Sequence, residues 1–334
     1  MSLRLTLKVA LKRGALVAAA NWPVTLVQSV ADSLFKLLIA APLLGGVFLV
    51  ALVVGAEPGA LITLGWRQLA ATIVTSLLSH PLVLTTFLLA MAVVVGGGSL
   101  FVFLIKGGTV GVLVVAERDA GPVELPPLQF EEMARASKFT IELFIESARA
   151  LFPRYARLGL LLIAVYVLSG VVYLGFVYAS RAAGDGWGIA AILTIGFVLW
   201  ITAVNLFYLL VQLVIAADDC SLAAALGRVT AFLRHERRTI GAVFAVILGM
   251  VVLATGASLL ATAALGLIAF VPFVGLAVLP LQLVAWLFRD IVFQYMGVAS
   301  IGAYLKLYRE YSLALAEGRF NPGPSYATWG RAAG

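Results

Sequence analysis

The run IGAVFAVILGMVVLATGASLLATAALGLIAFVPFVGLAVLPLQLVAWLF, residues 240–288, carries no charged side chain over 49 residues. A membrane-crossing helix needs about 20 predominantly apolar residues, so the run is too long for one crossing and suits two. Pro272 and Gly275 punctuate it and place the turn of a helical hairpin within 266–275. In lipid every backbone N–H and C=O must be paired inside the protein, which leaves helices and closed barrels. Barrel strands alternate apolar and polar residues, and here the apolar residues are contiguous, so the run is helical.

Outward from the hairpin, four more charge-free runs are long enough to cross. Residues 37–55 end at Glu57-Pro58-Gly59, 82–105 are closed by Lys106-Gly107-Gly108, 158–180 lie between Arg157 and Arg181, and 188–217 end at Asp218-Asp219. With the hairpin divided into 240–262 and 268–288, the chain is expected to be an all-α integral membrane protein with six transmembrane helices. Residues 1–318 form one polytopic domain and 319–334 a cytoplasmic tail. The composition agrees: 63% of residues are hydrophobic and 12% charged, against about 25% charged in soluble domains.

Lys and Arg accumulate on cytoplasmic loops. They cluster here in Arg4, Lys8, Lys12 and Arg13, then between 106 and 157, again at Arg228, Arg234, Arg237 and Arg238, and in the tail. The intervening loops hold only Arg67 and Arg181. This pattern puts both termini in the cytoplasm of a multi-pass inner (plasma) membrane protein. It also accounts for the net charge of +7. No basic block interleaves aromatics, so nucleic acid is excluded as a partner. Cys220, the single cysteine, rules out an intrachain disulfide or a cysteine metal cluster. The start, through Ala20, resembles a signal peptide, but its apolar stretch is short and Asn21-Trp22-Pro23 follows, so it reads as a retained amphipathic segment.

Between the spans, Phe130, Met133, Ser137, Ile141, Phe144, Ala148 and Leu151 recur at helical spacing among charged residues. They predict a cytoplasmic amphipathic helix over 128–152, preceded by Pro126-Pro127 and stopped by Pro153. A second such helix begins at Asp219 or Ser221 and runs through Phe232. A third carries Tyr304, Leu305, Tyr308, Tyr311 and Leu315 and ends at Gly318. The segment 61–78, with Trp66, lies on the outer interface. The first, third and fifth spans each follow a short basic segment (Leu5 to Trp22, Ile141 to Arg154, Leu222 to Arg238), which reads as three repeated helical hairpins with lead-in helices.

Candidate chemistry is sparse. His80 and His235 fall on opposite sides of the membrane in this topology and cannot share a metal. Asp32 and Lys36, four apart on one helix face, are either part of an ion path or an interfacial pair with Lys36 snorkelling. Arg289-Asp290 poses the same alternatives at the exit of the sixth span. Asn205 and Gln212, seven apart, are the polar candidates inside the fourth span, for packing or for lining a cavity. Gly96-Gly97-Gly98 suits flexure or close helix contact. Asp218-Asp219 lack a third carboxylate and suit a helix cap. No residue set points to a catalytic centre, cofactor or metal.

Two segments, DCSLAAALGR at 219–228 and Gly108-Thr-Val-Gly111 through Ala116-Glu-Arg-Asp-Ala-Gly121, resemble bacterial six-span families. Among them is the membrane domain that precedes some glycerophosphodiester phosphodiesterases. The resemblance covers about a third of the chain. It implies a six-helix domain with interfacial lead-in helices and carries over no catalytic residue, because that active site lies in a separate soluble domain. The expected function is a non-catalytic membrane module, a scaffold or accessory subunit of a bacterial envelope assembly. The alternative is a transporter or channel for a small solute or lipid, and a lipid-modifying enzyme ranks third. The expected partners are the bilayer, a membrane protein or second copy, and anionic lipid headgroups. Phe144, Leu151, Arg234, Arg237 and Arg238 form the candidate docking surface.

Overall fold

The computed structural model describes residues 3–54, 68, 71, 75, 78–127, 130–182, 188–269 and 274–318. Among them regular structure is helical throughout: α1 (Leu3–Ala20), α2 (Trp22–Val54), α3 (Pro81–Asp119), α4 (Phe130–Ala136), α5 (Ile141–Ala182), α6 (Gly188–Asp218), α7 (Leu222–Ala269) and α8 (Val274–Ala316). Six of these, α2, α3 and α5 to α8, are long and apolar enough to cross a membrane. The segment 61–78 expected on the outer interface, apart from residues 68, 71, 75 and 78, the core of the 266–275 turn and the tail lie outside the described residues.

The helices run well past the charge-free stretches. At the Gly107-Gly108 pair, α3 continues to Asp119 instead of ending. The reason is tertiary. A Cβ at Gly108 would stand 2.7 Å from the Phe144 ring, one at Gly111 2.3 Å from Ser147 Cβ, and one at Gly107 3.4 Å from Leu151 Cβ. The glycine face lets α5 lie directly on the α3 backbone, and that packing outweighs the weak helix propensity of glycine. The expected stop at Pro153 is likewise overridden, and α5 runs unbroken from Ile141 to Ala182. Pro153 removes one backbone bond, but it and Arg149, whose carbonyl loses its N–H, are both exposed. The expected helix over 128–152 is in fact two, because α4 ends at Ala136 and α5 begins at Ile141. A kink at Glu236 (φ −105°, ψ 25°) divides α7. In the piece before it, Ala225, Val229 and Phe232 are buried, and Phe232 packs edge-on to Tyr308 with ring centres 5.4 Å apart. The tyrosine-bearing stretch expected as a separate helix is the end of α8, which closes on Gly318 in the left-handed region (φ 67°).

By their contacts the residues fall into two units, Met1–Ser29 with Lys106–Gly334, and Val30–Ile105. Within the smaller one, rings seat on glycines: a Cβ at Gly98 would meet Phe35 at 2.5 Å, and one at Gly46 would meet Phe87 at 2.6 Å. Gly96 and Gly97 face open space. Within the larger one, α1 crosses α8 at Gly14. A Cβ there would lie 2.4 Å from the Ala299 carbonyl oxygen and 2.5 Å from the Ala303 nitrogen, both main chain and unable to swing aside. Gly14→Val is therefore expected to cost about 1–3 kcal/mol through overpacking. It should lower the melting temperature of the detergent-solubilised protein, and a melt indistinguishable from wild type would contradict this crossing.

Candidate functional site

The most densely charged buried site is built around Arg13 of α1, which is 3% exposed. Its Nε donates to Glu117 Oε1 at 2.7 Å and Oε2 at 2.8 Å. Nη1 donates to the Gly121 carbonyl at 2.8 Å and Glu124 Oε2 at 2.7 Å. Nη2 donates to the carbonyls of Ala120 at 3.1 Å and Glu117 at 3.3 Å. A guanidinium has five N–H donors, and all are engaged. Three of the acceptors are the carbonyls of Glu117, in the last turn of α3, and of Ala120 and Gly121 just beyond it, at a helix end that favours a cation. Lys12 Nζ donates to the Glu124 carbonyl at 2.8 Å, and Arg309 Nη1 to the Glu117 carbonyl at 2.8 Å. Lys306 Nζ lies 3.8 Å from Glu124 Oε1. The cluster ties α1 and α8 to the end of α3 and to the segment that follows it.

Burial alone would lower the Arg13 pKa, but Glu117 and Glu124 outweigh it and hold Arg13 above its ordinary value. Burial would raise the Glu124 carboxyl, and the hydrogen bond from Arg13 with its charge brings it below the ordinary 4.5. A depressed carboxylate pKa contributes stability that is fully present above the unfolded value and is lost as pH falls through the folded one. The protein is thus expected to hold a constant melting temperature from neutral pH down to about 4.5 on account of Glu124, and to weaken below it. In Glu124→Gln the melt at neutral pH should be lower and this part of the acid dependence should vanish. An unchanged acid profile in that variant would refute the assignment.

A second buried polar group sits where α2 meets α8. Asp290, 6% exposed, accepts a 2.9 Å hydrogen bond from Ser29 Oγ. Its neighbour Arg289 is half-buried and faces the space between α7 and α8. Gln28 Nε2 donates to Thr109 Oγ1 at 3.1 Å nearby.

The two polar residues singled out in α6 have different surroundings. Asn205 Oδ1 accepts from Tyr166 OH of α5. Gln212 is buried, its main-chain carbonyl accepts from Tyr155 OH at 2.7 Å, and its side-chain Nε2 has no partner among the described residues. Trp200 Nε1 donates to Ser169 Oγ at 2.9 Å, and Tyr173 OH and Thr194 Oγ1 share a bond of 2.8 Å. These pairs run in antiparallel register and join α5 to α6, the interhelical use of polar side chains common in membranes. Asp32 and Lys36 form their i,i+4 pair at 2.5 Å, with both side chains partly exposed.

The candidate docking surface divides. Phe144 and Leu151 are 8% and 7% exposed and pack on the glycine face of α3. Their stripe is covered by the chain itself, which removes them from any surface open to a partner. Arg234, Arg237 and Arg238 are exposed around the kink in α7. Asp218 accepts from Arg228 at 2.5 Å and from Tyr308 OH, Asp219 pairs with Arg154, and Ser221 Oγ accepts from the Ala224 N–H at 3.4 Å as the cap of α7. Among the described residues no group of three or more His, Cys, Asp or Glu side chains is placed to hold a metal.

Sequence reasoning missed the Arg13 cluster. Arg13 counted only as a topogenic charge, and Glu117 lies 104 residues away. Comparison with family models, curated proteins and solved structures finds no match to this chain. The helices define its class, a multi-pass α-helical membrane protein.

Proposed function

We propose that the chain is a non-catalytic module of a bacterial inner membrane, with both termini in the cytoplasm, acting as scaffold or accessory subunit of an envelope assembly. The observation that carries this reading is the closure of the Arg13 cluster. Every guanidinium donor ends on a carboxylate or carbonyl of the same chain, as suits a fixed brace better than a reacting or transporting group. On this reading α1, the start of α5 over 141–154 and the first piece of α7 are interfacial lead-ins to three repeated hairpins. The resemblance to phosphodiesterase membrane domains belongs to the same proposal.

The exposed Arg234, Arg237 and Arg238 are its docking surface, for an acidic partner subunit, a second copy or anionic headgroups. Basic residues near an anionic surface contribute about 1 kcal/mol each. Replacing all three by Gln is expected to weaken partner retention by more than about tenfold while all six spans still insert. The check is quantitative copurification from crosslinked membranes, paired with protease mapping of insertion. If the triple variant keeps the wild-type set of copurifying proteins, the docking surface is wrong. A second reading, transport of a small solute or lipid, draws on Arg289-Asp290. The pair occupies the sixteenth and seventeenth of the 43 residues of α8, between two charge-free runs of fifteen residues, 274–288 and 291–305, and intramembrane charges are commonly functional.

A further inference from the structure

Between α7 and α8 lies a groove of about 600 Å³, within the size range of small-molecule sites, about 300–1,000 Å³. Its α7 wall is the small-residue face Ala254, Ala257, Ser258 and Ala261, and its α8 wall carries Gln282, Trp286 and Arg289. Small faces usually let two helices close on each other. Here Trp286, Phe288 and Phe293 of α8 line the gap and the space stays open. The groove is mainly apolar, with Ser258, Thr262 and Gln282 among its lining, and Arg289 stands in it without a hydrogen bond or ion pair to any described residue. Asp290, the adjacent carboxylate, is buried toward Ser29 of α2. The facing stretch of α7, 239–269, contains no acidic residue.

A guanidinium in apolar surroundings is costly unless its donors are met, and its planar fork matches phosphate oxygens. An occupant of this groove must therefore join an apolar body to an anion. The bilayer supplies such a molecule. We propose that the α7–α8 groove binds an anionic phospholipid, with the headgroup phosphate on Arg289 and an acyl chain against Ala254, Ala257 and Ala261. Gln282 lies seven residues from Arg289, about 10 Å along the same face of α8, and offers an amide to the ester carbonyls. The inference is independent of the scaffold reading, because a lipid held here serves a scaffold or a transporter equally.

The test is native mass spectrometry of the full-length protein in detergent, titrated with phosphatidylglycerol or with phosphatidylcholine. Wild type is expected to retain phosphatidylglycerol in preference to phosphatidylcholine. Arg289→Gln should lose the preference, with phosphatidylglycerol affinity falling about fivefold or more. Ala261→Phe, which fills the groove and leaves Arg289 in place, should reduce retention of both lipids. Gel filtration and the melting profile confirm that each variant is folded. Wild-type retention of phosphatidylglycerol by either folded variant, or equal retention of the two lipids by wild type, overturns the proposal. Neither outcome bears on partner copurification, so the lipid site and the docking surface fail separately.

Discussion

Replacing Arg13 by methionine is expected to cost about 3–5 kcal/mol of stability, because it leaves Glu117 as a buried carboxylate whose main partner is gone. The two side chains are 4% and 3% exposed, and 2.7 Å apart. The size of the effect comes from the orphaned charge more than from the pair itself. Taking two ions out of water is expensive, and a buried pair replaced by apolar groups of similar volume is often neutral. A second substitution therefore separates the explanations. Arg13→Met combined with Glu117→Leu should recover much of the loss, although Glu124 still forfeits its bond from Arg13 and three carbonyls at the end of α3 lose a donor. Thermal melts of both variants in the same detergent decide the matter. If Arg13→Met melts as wild type does, the brace reading of the cluster falls. If the double variant is no better than the single, the loss lies in the bonds Arg13 makes to Glu124 and to the carbonyls at the end of α3, and not in the stranded Glu117 carboxylate.

The six helices long and apolar enough to cross a membrane were legible because each depends on a local property, a charge-free run long enough for a bilayer. What was not legible is where the helices stop. Lys106-Gly107-Gly108 carries a local stop signal, and α3 ignores it because Phe144, Ser147 and Leu151 come to rest on its glycines from some forty residues further on. The apolar stripe of Phe144, Ala148 and Leu151 was visible from its helical period, and so was the need to bury it. Its partner was equally visible as a glycine-rich segment, but nothing in either pattern paired the two. The same limit hid the Arg13 cluster. Four basic residues near the N-terminus, Arg4, Lys8, Lys12 and Arg13, satisfy the topology rule whether or not one of them is buried. Only the contact of α1 with the end of α3 distinguishes Arg13 from Lys8 or Arg4. Asn205 was found because a polar residue within a span stands out against its neighbours, and its bond to Tyr166 ties α5 to α6.

Asn21 shows how much one unremarked side chain can hold. It lies between α1 and α2 and is fully buried. Its Nδ2 donates to the carbonyls of Val17 at 3.0 Å and Ala136 at 2.7 Å. Its Oδ1 accepts from the backbone N–H groups of Lys138 at 2.9 Å and Phe139 at 3.1 Å. Ala136 is the last residue of α4, and Lys138 and Phe139 lead into α5, so these are groups that helix ends leave unmatched. One amide thus fixes the turn that aims α5 at the glycines of α3. Asn21→Leu nearly conserves volume but can neither donate nor accept. It strands the buried Ala136 carbonyl, at about 1–3 kcal/mol, and two partly buried N–H groups that cost less each. The loss should appear as a lower melting temperature. It should also appear as faster hydrogen exchange in a peptide covering residues 137–140, with peptides from the middle of α6 changing much less. Unchanged exchange at 137–140 in a folded Asn21→Leu protein would mean that other groups hold this turn, and the role given to Asn21 would fall.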